Sequence, residues 1–439
     1  MSIQTELTRI TNAKAAIKTA IEGKGVTVPD GTMLDGMAAL ISSIQVGGGN
    51  TGGSTSAVPP KDVNFYDYDG TRLYSYTVAE ARALTELPEL PTQPGLTCQG
   101  WNWTLTDIKA MNRAVDVGAM YITDDGKTRL YITIAADGRM TVPLHISQTV
   151  AEGVVIDWGD GSQTEAMSVT GKNSITHTYA NIGHYTITLG VADGCTLGLG
   201  HDSSAYVVIG GSSNVDKAYN NMLKKVEIGK GVERVGTCAF QHCYSLESIT
   251  IPNSVTRIDG FAFQYCYSLA SIIIPNSATL IDTYAFRECR SLESIIIPNS
   301  ITTIGTYAFC ECRSLESIII PNSIKTLSVR LFESCYSLAS IIIPNSITII
   351  STYAFRECLS LASIIIPNSI KTVNQNVFYN CYGVGIYDFT SHTSVPKLSN
   401  INAFTGIPSD CQIRVPAALY DEWIAASNWS TYASQIVAV

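Results

Sequence analysis

The sequence predicts a multidomain, mostly β protein that ends in a long solenoid. Between Ala239 and Cys381, cysteine, proline and phenylalanine each recur at intervals of 23 residues. Residues 127–212 are a run of short segments in which apolar and polar residues alternate, and a glycine- and serine-rich stretch follows an N-terminal helical pattern. A fixed period of this length is typical of a solenoid, because each repeat buries its apolar face only against its neighbours.

Each repeat contains a short strand followed by a turn. Leu246, Ile249 and Ile251 have the spacing of a strand with three inward-facing side chains. Proline, which cannot donate a hydrogen bond to a β ladder, then ends the strand, and Asn-Ser turns the chain. The repeated phrase closely resembles the BspA-like class of leucine-rich repeats of bacterial surface proteins. This resemblance implies a leucine-rich-repeat solenoid over residues 213–411 with a 23-residue period.

The composition excludes several classes of protein. The net charge is −9 and only 15% of the residues are charged, which argues against binding to nucleic acid or to an anionic membrane. No apolar run reaches the roughly 18 residues of a membrane span, so no membrane insertion is expected. The first residues also lack the apolar core of a signal peptide.

Residues 1–45 are predicted to form two amphipathic helices. Ile3, Leu7 and Ile10 begin an apolar stripe with helical spacing, and Met33 to Ile44 carry a second one. Helices this short are marginal when isolated. We therefore predict that they attach the chain to a partner or oligomerise it, with residues 46–60 as a flexible Gly/Ser linker.

Residues 61–126 are predicted to form a small α+β module. An Asp-Gly turn follows an aromatic strand segment in Asp67-Tyr68-Asp69-Gly70-Thr71, and Gly100-Trp101 lies in a later strand. This pattern resembles the β-grasp-like B repeats of internalin-type proteins, and the resemblance implies a β-grasp-like fold.

Residues 127–212 contain the two halves of another recognisable motif. Asp157-Trp158-Gly159-Asp160-Gly161-Ser162 is followed by His177-Thr178-Tyr179 and by the strand that begins at Gly183. Together they resemble the polycystic-kidney-disease (PKD) domain, which implies an immunoglobulin-like β-sandwich that serves as a spacer. Asp157, Asp160 and His177 are interpreted as turn-forming and packing residues, although a metal or acid–base site is the alternative.

The cysteines and the C-terminal segment are interpreted as structural parts of the solenoid. Seven of the twelve cysteines share one repeat position, so parallel stacking places them in one buried column of free thiols. Cys310-x-Cys312 lacks a second ligand pair, so no metal or cofactor is expected. Residues 412–439 are predicted to cap the open end of the solenoid.

No sequence motif of a hydrolase, metalloprotease or nucleotide-binding enzyme is present. Glu288, Glu311 and Glu357 occupy equivalent turn positions, and paired carboxylates are what a glycosidase requires. They are interpreted as products of the repeat, with arginines nearby to neutralise them. The chain is therefore predicted not to be an enzyme.

The turn before each strand changes from repeat to repeat while the framework stays fixed, as in a recognition surface. Stacking of the repeats is expected to form a ribbon of rings and cations that stacks on sugar faces and binds acidic groups. Neutral drift of exposed turns is the alternative. The candidate ligand-binding residues are Tyr244, Tyr265, Tyr267, Arg287, Arg290, Arg313, Tyr336 and Arg356.

A second candidate surface is the outward position of each strand, where five isoleucines are expected to form a solvent-facing apolar stripe. Such a stripe indicates a subunit interface or a ladder that stabilises the sheet. The interface candidates are Ile273, Ile296, Ile319, Ile342 and Ile365.

The order of modules and the segments FYDYDGT and GWNWT resemble tail proteins of phages and prophages of Gram-positive gut bacteria. The first interpretation is a phage tail fibre or receptor-binding protein, assembled in the host cytoplasm and placed in the virion tail. Its N-terminus would bind tail or baseplate proteins, and its solenoid would bind a glycan or a protein of the host surface. The resemblance to tail fibres also implies a trimer. The alternative is a BspA-like adhesin at the bacterial cell surface, and the third is a tail enzyme that degrades surface polysaccharide.

Overall fold

The structure, a computed structural model, describes residues 63–110, 114–135, 139–200, 207–210 and 217–439. The predicted helices of residues 1–45 and the linker of residues 46–60 lie outside the described residues. Within the described ranges, no helix is both long enough and apolar enough to cross a membrane.

The first described module is a four-stranded sheet with two short helices. Its elements are β1 (Val63–Tyr66), β2 (Arg72–Tyr76), helix α1 (Val78–Ala83), β3 (Leu96–Trp101), helix α2 (Leu105–Ala110) and β4 (Val115–Thr123). The strand order is β2-β1-β4-β3, with β1 parallel to β4. Thr77 and Glu80 form a capping box that begins α1. The rings of Phe65 and Trp101 pack edge to face at 4.9 Å in the core.

The second module is a two-layer β-sandwich. Its strands are β5 (Thr128–Ile134), β6 (Thr141–Gln148), β7 (Val154–Asp157), β8 (Glu165–Ala166), β9 (Gly171–Thr178), β10 (Gly183–Val191) and β11 (Leu197–Leu199). One layer has the order β11-β6-β9, and the other contains β5-β10-β7-β8. Trp158 and Tyr179 are buried between the layers, and the Tyr179 hydroxyl donates to the Trp158 carbonyl at 2.9 Å. Gly159 has φ +76°, and a Cβ there would lie 2.4 Å from the Thr186 carbonyl oxygen.

The sandwich continues directly into the solenoid. After helix α3 (Lys217–Asn220), strand β12 (Leu223–Glu227) pairs antiparallel with β5. On its other edge β12 pairs parallel with the first strand of the solenoid, at residues 248–250. Buried residues of the sandwich and the solenoid therefore belong to one continuous core. The sandwich covers the N-terminal end of the repeat stack, which an isolated solenoid would expose to water.

The solenoid consists of two parallel ladders. The first contains β14 (Ser248–Thr250), β16 (Ser271–Ile273), β18 (Ser294–Ile296), β20 (Ser317–Ile319), β22 (Ser340–Ile342), β24 (Ser363–Ile365), β26 (Ile386–Asp388), β28 (Gln412–Val415) and β29 (Ile436–Ala438). The second contains β13 (Arg234–Val235), β15 (Arg257–Ile258), β17 (Leu280–Ile281), β19 (Thr303–Ile304), β21 (Thr326–Leu327), β23 (Ile349–Ile350), β25 (Thr372–Val373) and β27 (Lys397–Leu398). Equivalent residues of paired repeats are in register, as Ser271 is with Ser294. The strand pairing is interrupted between β14 and β16, β18 and β20, and β22 and β24 in the first ladder, and between β19 and β21 in the second. The predicted mostly β fold with its 23-residue solenoid is confirmed.

Phenylalanine and cysteine form two buried columns inside the coil. Successive phenylalanine rings from Phe240 to Phe378 stack with centroids 5.2 to 5.8 Å apart. The seven column cysteines are buried free thiols, which confirms the prediction. Six of them also donate to a phenylalanine carbonyl of the preceding repeat, a bond that the sequence analysis missed. Cys312 Sγ, for example, lies 3.2 Å from the Phe286 carbonyl oxygen, which also accepts from the Cys289 amide.

Residues 412–439 close the far end of the stack. Helix α4 (Tyr420–Ala425) and the 3₁₀ segments Ala417–Leu419 and Trp429–Tyr432 pack over the last coil, and another 3₁₀ segment, Ile401–Phe404, precedes them. Trp423 and Trp429 are fully buried, and the Trp429 indole donates to the Pro396 carbonyl at 2.7 Å. Large aromatic side chains therefore take the place of a further repeat.

The α+β module packs on the strand face of the solenoid, and all described residues belong to one compact unit. The Asn102 side chain donates to the Ile274 carbonyl at 3.0 Å and accepts from the Gly118 amide at 2.7 Å. Met120 joins Ile273 and Ile296 in a small apolar cluster. The bond from Asn102 joins residues 172 positions apart. Strand β4 contacts β14, β16 and β18, so the first three strands of the first ladder are covered by the chain itself.

The expectation of five solvent-facing isoleucines is therefore wrong for Ile273 and Ile296, which are 8% and 7% exposed. Ile319 is partly buried, whereas Ile342 and Ile365 are 43% and 64% exposed. The physical reason is the α+β module, whose Tyr66, Tyr68 and Met120 side chains replace water on the first half of the stripe.

Substitutions at Gly118 and Ile273 test the contact between the α+β module and the solenoid. A Cβ at position 118 would lie 2.6 Å from the nearest Ile273 side-chain carbon, so Gly118→Ala should lower the free energy of unfolding by about 1–3 kcal/mol. Ile273→Ala removes the clashing atoms, and the double variant should therefore lose less than the sum of the two single variants. Urea unfolding of the four proteins gives the coupling energy. Strict additivity would show that the two residues do not touch.

Candidate functional site

The turns before the strands have one backbone conformation in every repeat. Two non-glycine residues per repeat adopt left-handed φ angles, as Tyr284 and Glu288 do at 60°, a conformation uncommon for such residues. Their amides donate to carbonyls of the next repeat, at 3.0 Å from Tyr284 to Thr306 and at 2.8 Å from Glu288 to Cys310. This additional ladder fixes the turns, so that equivalent side chains project in columns along the stack.

One column consists of the residues that directly follow the column cysteines in the sequence. We call it the first ribbon; it consists of Tyr244, Tyr267, Arg290, Arg313 and Tyr336. The rings of Tyr244 and Tyr267 stack at 4.8 Å and 9°. The Arg290 guanidinium lies 4.4 Å from the Tyr267 ring centroid, and that of Arg313 lies 5.6 Å from Tyr336. The structure therefore brings five of the eight candidate residues into one column.

The other three candidates lie in the two neighbouring columns. Tyr265 stacks on His242 with centroids 4.5 Å apart, and burial lowers the pKa of His242. Arg287 lies 3.5 Å from Glu311, and Arg356 lies 2.8 Å from both Glu333 and Glu357. These side chains are partly buried, and the ion pairs of Arg287 and Arg356 join neighbouring repeats.

A second aromatic column, which was not predicted from the sequence, lies on the same side of the coil. We call it the second ribbon; it consists of Phe261, Tyr284, Tyr307, Arg330 and Tyr353. Tyr284 and Tyr307 stack at 4.6 Å, and the Arg330 guanidinium lies between Tyr307 and Tyr353, at 5.3 and 4.4 Å from the ring centroids. The signal was present, since these positions are also 23 residues apart, and they hold aromatic or cationic residues. The two ribbons and the residues between them are called the turn face below.

Carboxylates pair with the arginines of the turn face. Glu288 lies 2.6 Å from Arg290, and Glu311 lies 2.9 Å from Arg313. Glu333, whose side chain is 8% exposed, lies 3.1 Å from Arg330. The glutamates that the sequence analysis considered as a possible catalytic set therefore act as partners of the arginines, consistent with its structural interpretation.

The residues of the sandwich motif have structural roles. His177 stacks on Trp158 with centroids 4.8 Å apart, and its Nε2 lies 2.7 Å from Asp160. Hydrogen bonds from Ser162 and His177 lower the pKa of Asp160 to about 2. Asp157 accepts from the Gly159 amide in the turn. Among the described residues, no three His, Cys, Asp or Glu side chains are grouped so that they could hold a metal ion.

Comparison with known proteins identifies the repeats. Residues 216–338 and 279–407 match the family described as BspA type leucine rich repeat region, in six copies. Solved structures with similarity include a leucine-rich-repeat protein of T. pallidum, at 28% identity over 36% of this chain and 73% of that one, with a TM-score of 0.33.

Two further solved structures are similar over part of the chain. A leucine rich cell surface protein of Faecalibacterium prausnitzii is 27% identical over 44% of this chain and 65% of that one, with a TM-score of 0.29. A leucine-rich-repeat protein of Bacteroides ovatus is 24% identical over 49% and 66%, with a TM-score of 0.33. A search of curated proteins found no match. Residues 216–407 are a leucine-rich-repeat region of the BspA type.

Proposed function

We propose that the chain is a bacterial cell-surface adhesin that binds its ligand through the turn face of the solenoid. The repeat type supports this proposal, because the similar protein of F. prausnitzii is described as a cell surface protein. The single observation that carries the assignment to the turn face is the pair of ribbons. Tyrosine and arginine are the residues most enriched at the energetic centres of interfaces, and here the fold arrays them in columns.

Competition for attachment tests the proposal. The labelled full-length chain should attach saturably to target cells, and unlabelled chain should displace it. A variant with Tyr267, Arg290 and Arg313 changed to alanine should displace it about tenfold less well, because truncation at the centre of an interface removes most of the binding energy. Lys325→Ala with Ile349→Ala is the matched control, since both residues are exposed and lie at or next to the second ladder. Equal competition by the ribbon variant would refute the proposal.

A phage tail fibre or receptor-binding protein remains the second candidate. It is favoured by the helical pattern of residues 1–45 and by the resemblance of FYDYDGT and GWNWT to phage tail proteins. Antibodies against residues 213–439 should label intact bacteria if the chain is an adhesin. Label confined to particles released by lysis would favour the tail fibre.

The other surfaces have proposed supporting roles. The sandwich, whose motif resembles the PKD domain, would act as a rigid spacer and no enzymatic activity is proposed. The partly buried Ile319 and the exposed Ile342 and Ile365 continue the face on which the α+β module packs. Because of this continuity, we propose that a second copy of the chain packs there, with no role for these residues in ligand binding.

A further inference from the structure

Two tyrosine rings of the turn face, Tyr267 and Tyr307, have neighbours on both flat faces. Tyr267 contacts the ring of Tyr244 at 4.8 Å and the guanidinium of Arg290 at 4.4 Å. In the second ribbon Tyr307 lies between Tyr284, at 4.6 Å, and Arg330, at 5.3 Å. Neighbours along each column thus occupy the flat faces of these rings. This geometry does not favour sugars stacking on Tyr267 and Tyr307 and leaves ring edges, hydroxyl groups and guanidinium N–H groups for a ligand.

The charges of the turn face nearly cancel. Its five arginines, at positions 287, 290, 313, 330 and 356, each have a glutamate oxygen within 3.5 Å. Its four glutamates are at positions 288, 311, 333 and 357. An acidic ligand would have to compete with these carboxylates for each guanidinium. The expectation that the ribbon binds acidic groups is therefore not favoured by the geometry.

The groups that the turn face still offers to a ligand are hydrogen-bond donors and acceptors in close succession. Guanidinium groups donate, carboxylates accept, and phenol hydroxyls do both. A neutral polyol presents adjacent hydroxyl groups that satisfy both kinds of partner at once. Equivalent donors of successive repeats are separated by about the distance between the stacked tyrosine rings, which is 4.6 to 4.8 Å. This spacing is close to the length of one sugar unit in an extended glycan.

We infer that the turn face binds a neutral, extended polysaccharide that lies along the solenoid axis. This inference rests on the proposed function, because it names the ligand class of the same surface. The first ribbon spans five repeats, from Tyr244 to Tyr336. Successive sugars would each receive a hydroxyl or guanidinium contact, and affinity would come from the repetition of weak contacts along the polymer.

The test measures attachment of the full-length chain to target cells that have been treated with periodate or with protease. Mild periodate, which cleaves vicinal diols of sugars, should reduce attachment at least about tenfold, whereas protease treatment of the cells should not. Raising NaCl from about 50 to about 500 mM should change attachment less than about twofold, because screening weakens binding to charged ligands far more than to neutral ones. Loss of attachment after protease but not after periodate would overturn the inference in favour of a protein ligand. Loss at high salt would overturn it in favour of an acidic ligand.

Two conservative variants extend the test to the residues. Changing Tyr267 and Tyr336 to phenylalanine keeps the stacking and removes two hydroxyls, so attachment should fall about three- to tenfold. Glu311→Gln frees Arg313 from its carboxylate partner. It should weaken attachment to a neutral glycan, whereas stronger attachment would indicate an acidic ligand and overturn the inference. If untreated cells do not bind the wild-type chain at all, the proposed function itself fails.

Discussion

Raising the pH from about 8 to about 10.5 should unfold the solenoid cooperatively. The cause is the column of seven buried thiols, Cys243, Cys266, Cys289, Cys312, Cys335, Cys358 and Cys381. Burial raises the pKa of each of them above the ordinary value of a thiol, to about 12 for Cys243 and Cys381. These thiols stay protonated in the folded chain.

The sign of the effect follows from the proton count. In the unfolded chain each thiol ionises above about pH 8.5, so the unfolded state binds fewer protons than the folded state. Stability is therefore fully present below that pH and falls as the pH rises toward the raised folded pKa. Each thiol contributes about 1.4 kcal/mol per pH unit, so seven would together contribute on the order of 10 kcal/mol per unit.

Urea unfolding at a series of pH values measures this slope. Cys312→Ser is the matched variant, because its hydroxyl does not titrate and can still donate to the Phe286 carbonyl. The variant should have a slope that is smaller by about 1.4 kcal/mol per pH unit. An unfolding free energy that stays constant from about pH 8 to about pH 10.5 would contradict the buried, protonated column.

Phe309→Ala should lower the free energy of unfolding by about 3–5 kcal/mol. Phe309 is fully buried in the middle of the stack, with its ring between those of Phe286 and Phe332 at 5.6 and 5.8 Å. Its removal leaves a cavity that a repeat bonded to neighbours on both sides cannot close. Because each repeat contacts only its neighbours, the defect should also weaken the coupling between the two halves of the solenoid.

Chemical unfolding of Phe309→Ala and Phe309→Leu separates these effects. The leucine variant fills most of the space and should lose about 1–2 kcal/mol. The alanine variant should show a broadened or two-step transition, since the repeats on either side can unfold separately. A single sharp transition with a loss below about 1 kcal/mol would contradict the stacked column.

The repeated part of the fold is predicted well from the sequence because every repeat places the same residue types at the same positions. Leu246, Ile249 and Phe263 recur with one spacing, so one repeat determines the strand, the turn and the core of all others. The thiol hydrogen bonds escaped prediction because they join Cys312 to a backbone carbonyl one repeat away, which side-chain identity does not reveal. The second ribbon was missed although Tyr284 and Tyr307 share one repeat position.

Contacts between modules are where sequence reasoning failed. Ile273 and Ile365 occupy equivalent repeat positions, yet one is buried and the other exposed. The difference comes from the α+β module, which lies more than 100 residues earlier and whose docking depends on Gly118 and Asn102. No local pattern encodes such a contact. The sequence placed arginines near the turn glutamates, but the pairs from Arg287 to Glu311 and from Arg356 to Glu333 join neighbouring repeats and form only when the repeats stack.

Attachment of two variants to the same cells tests the central claim most directly. One variant carries alanine at Tyr267, Arg290 and Arg313 on the turn face; the other carries threonine at Ile342 and Ile365 on the strand face. At equal concentrations of folded protein, the turn-face variant should lose at least about tenfold in attachment. The strand-face variant should attach like the wild-type chain and differ only in oligomeric state by light scattering. Loss of attachment in the strand-face variant, with attachment retained in the turn-face variant, would place recognition on the opposite surface and contradict the account.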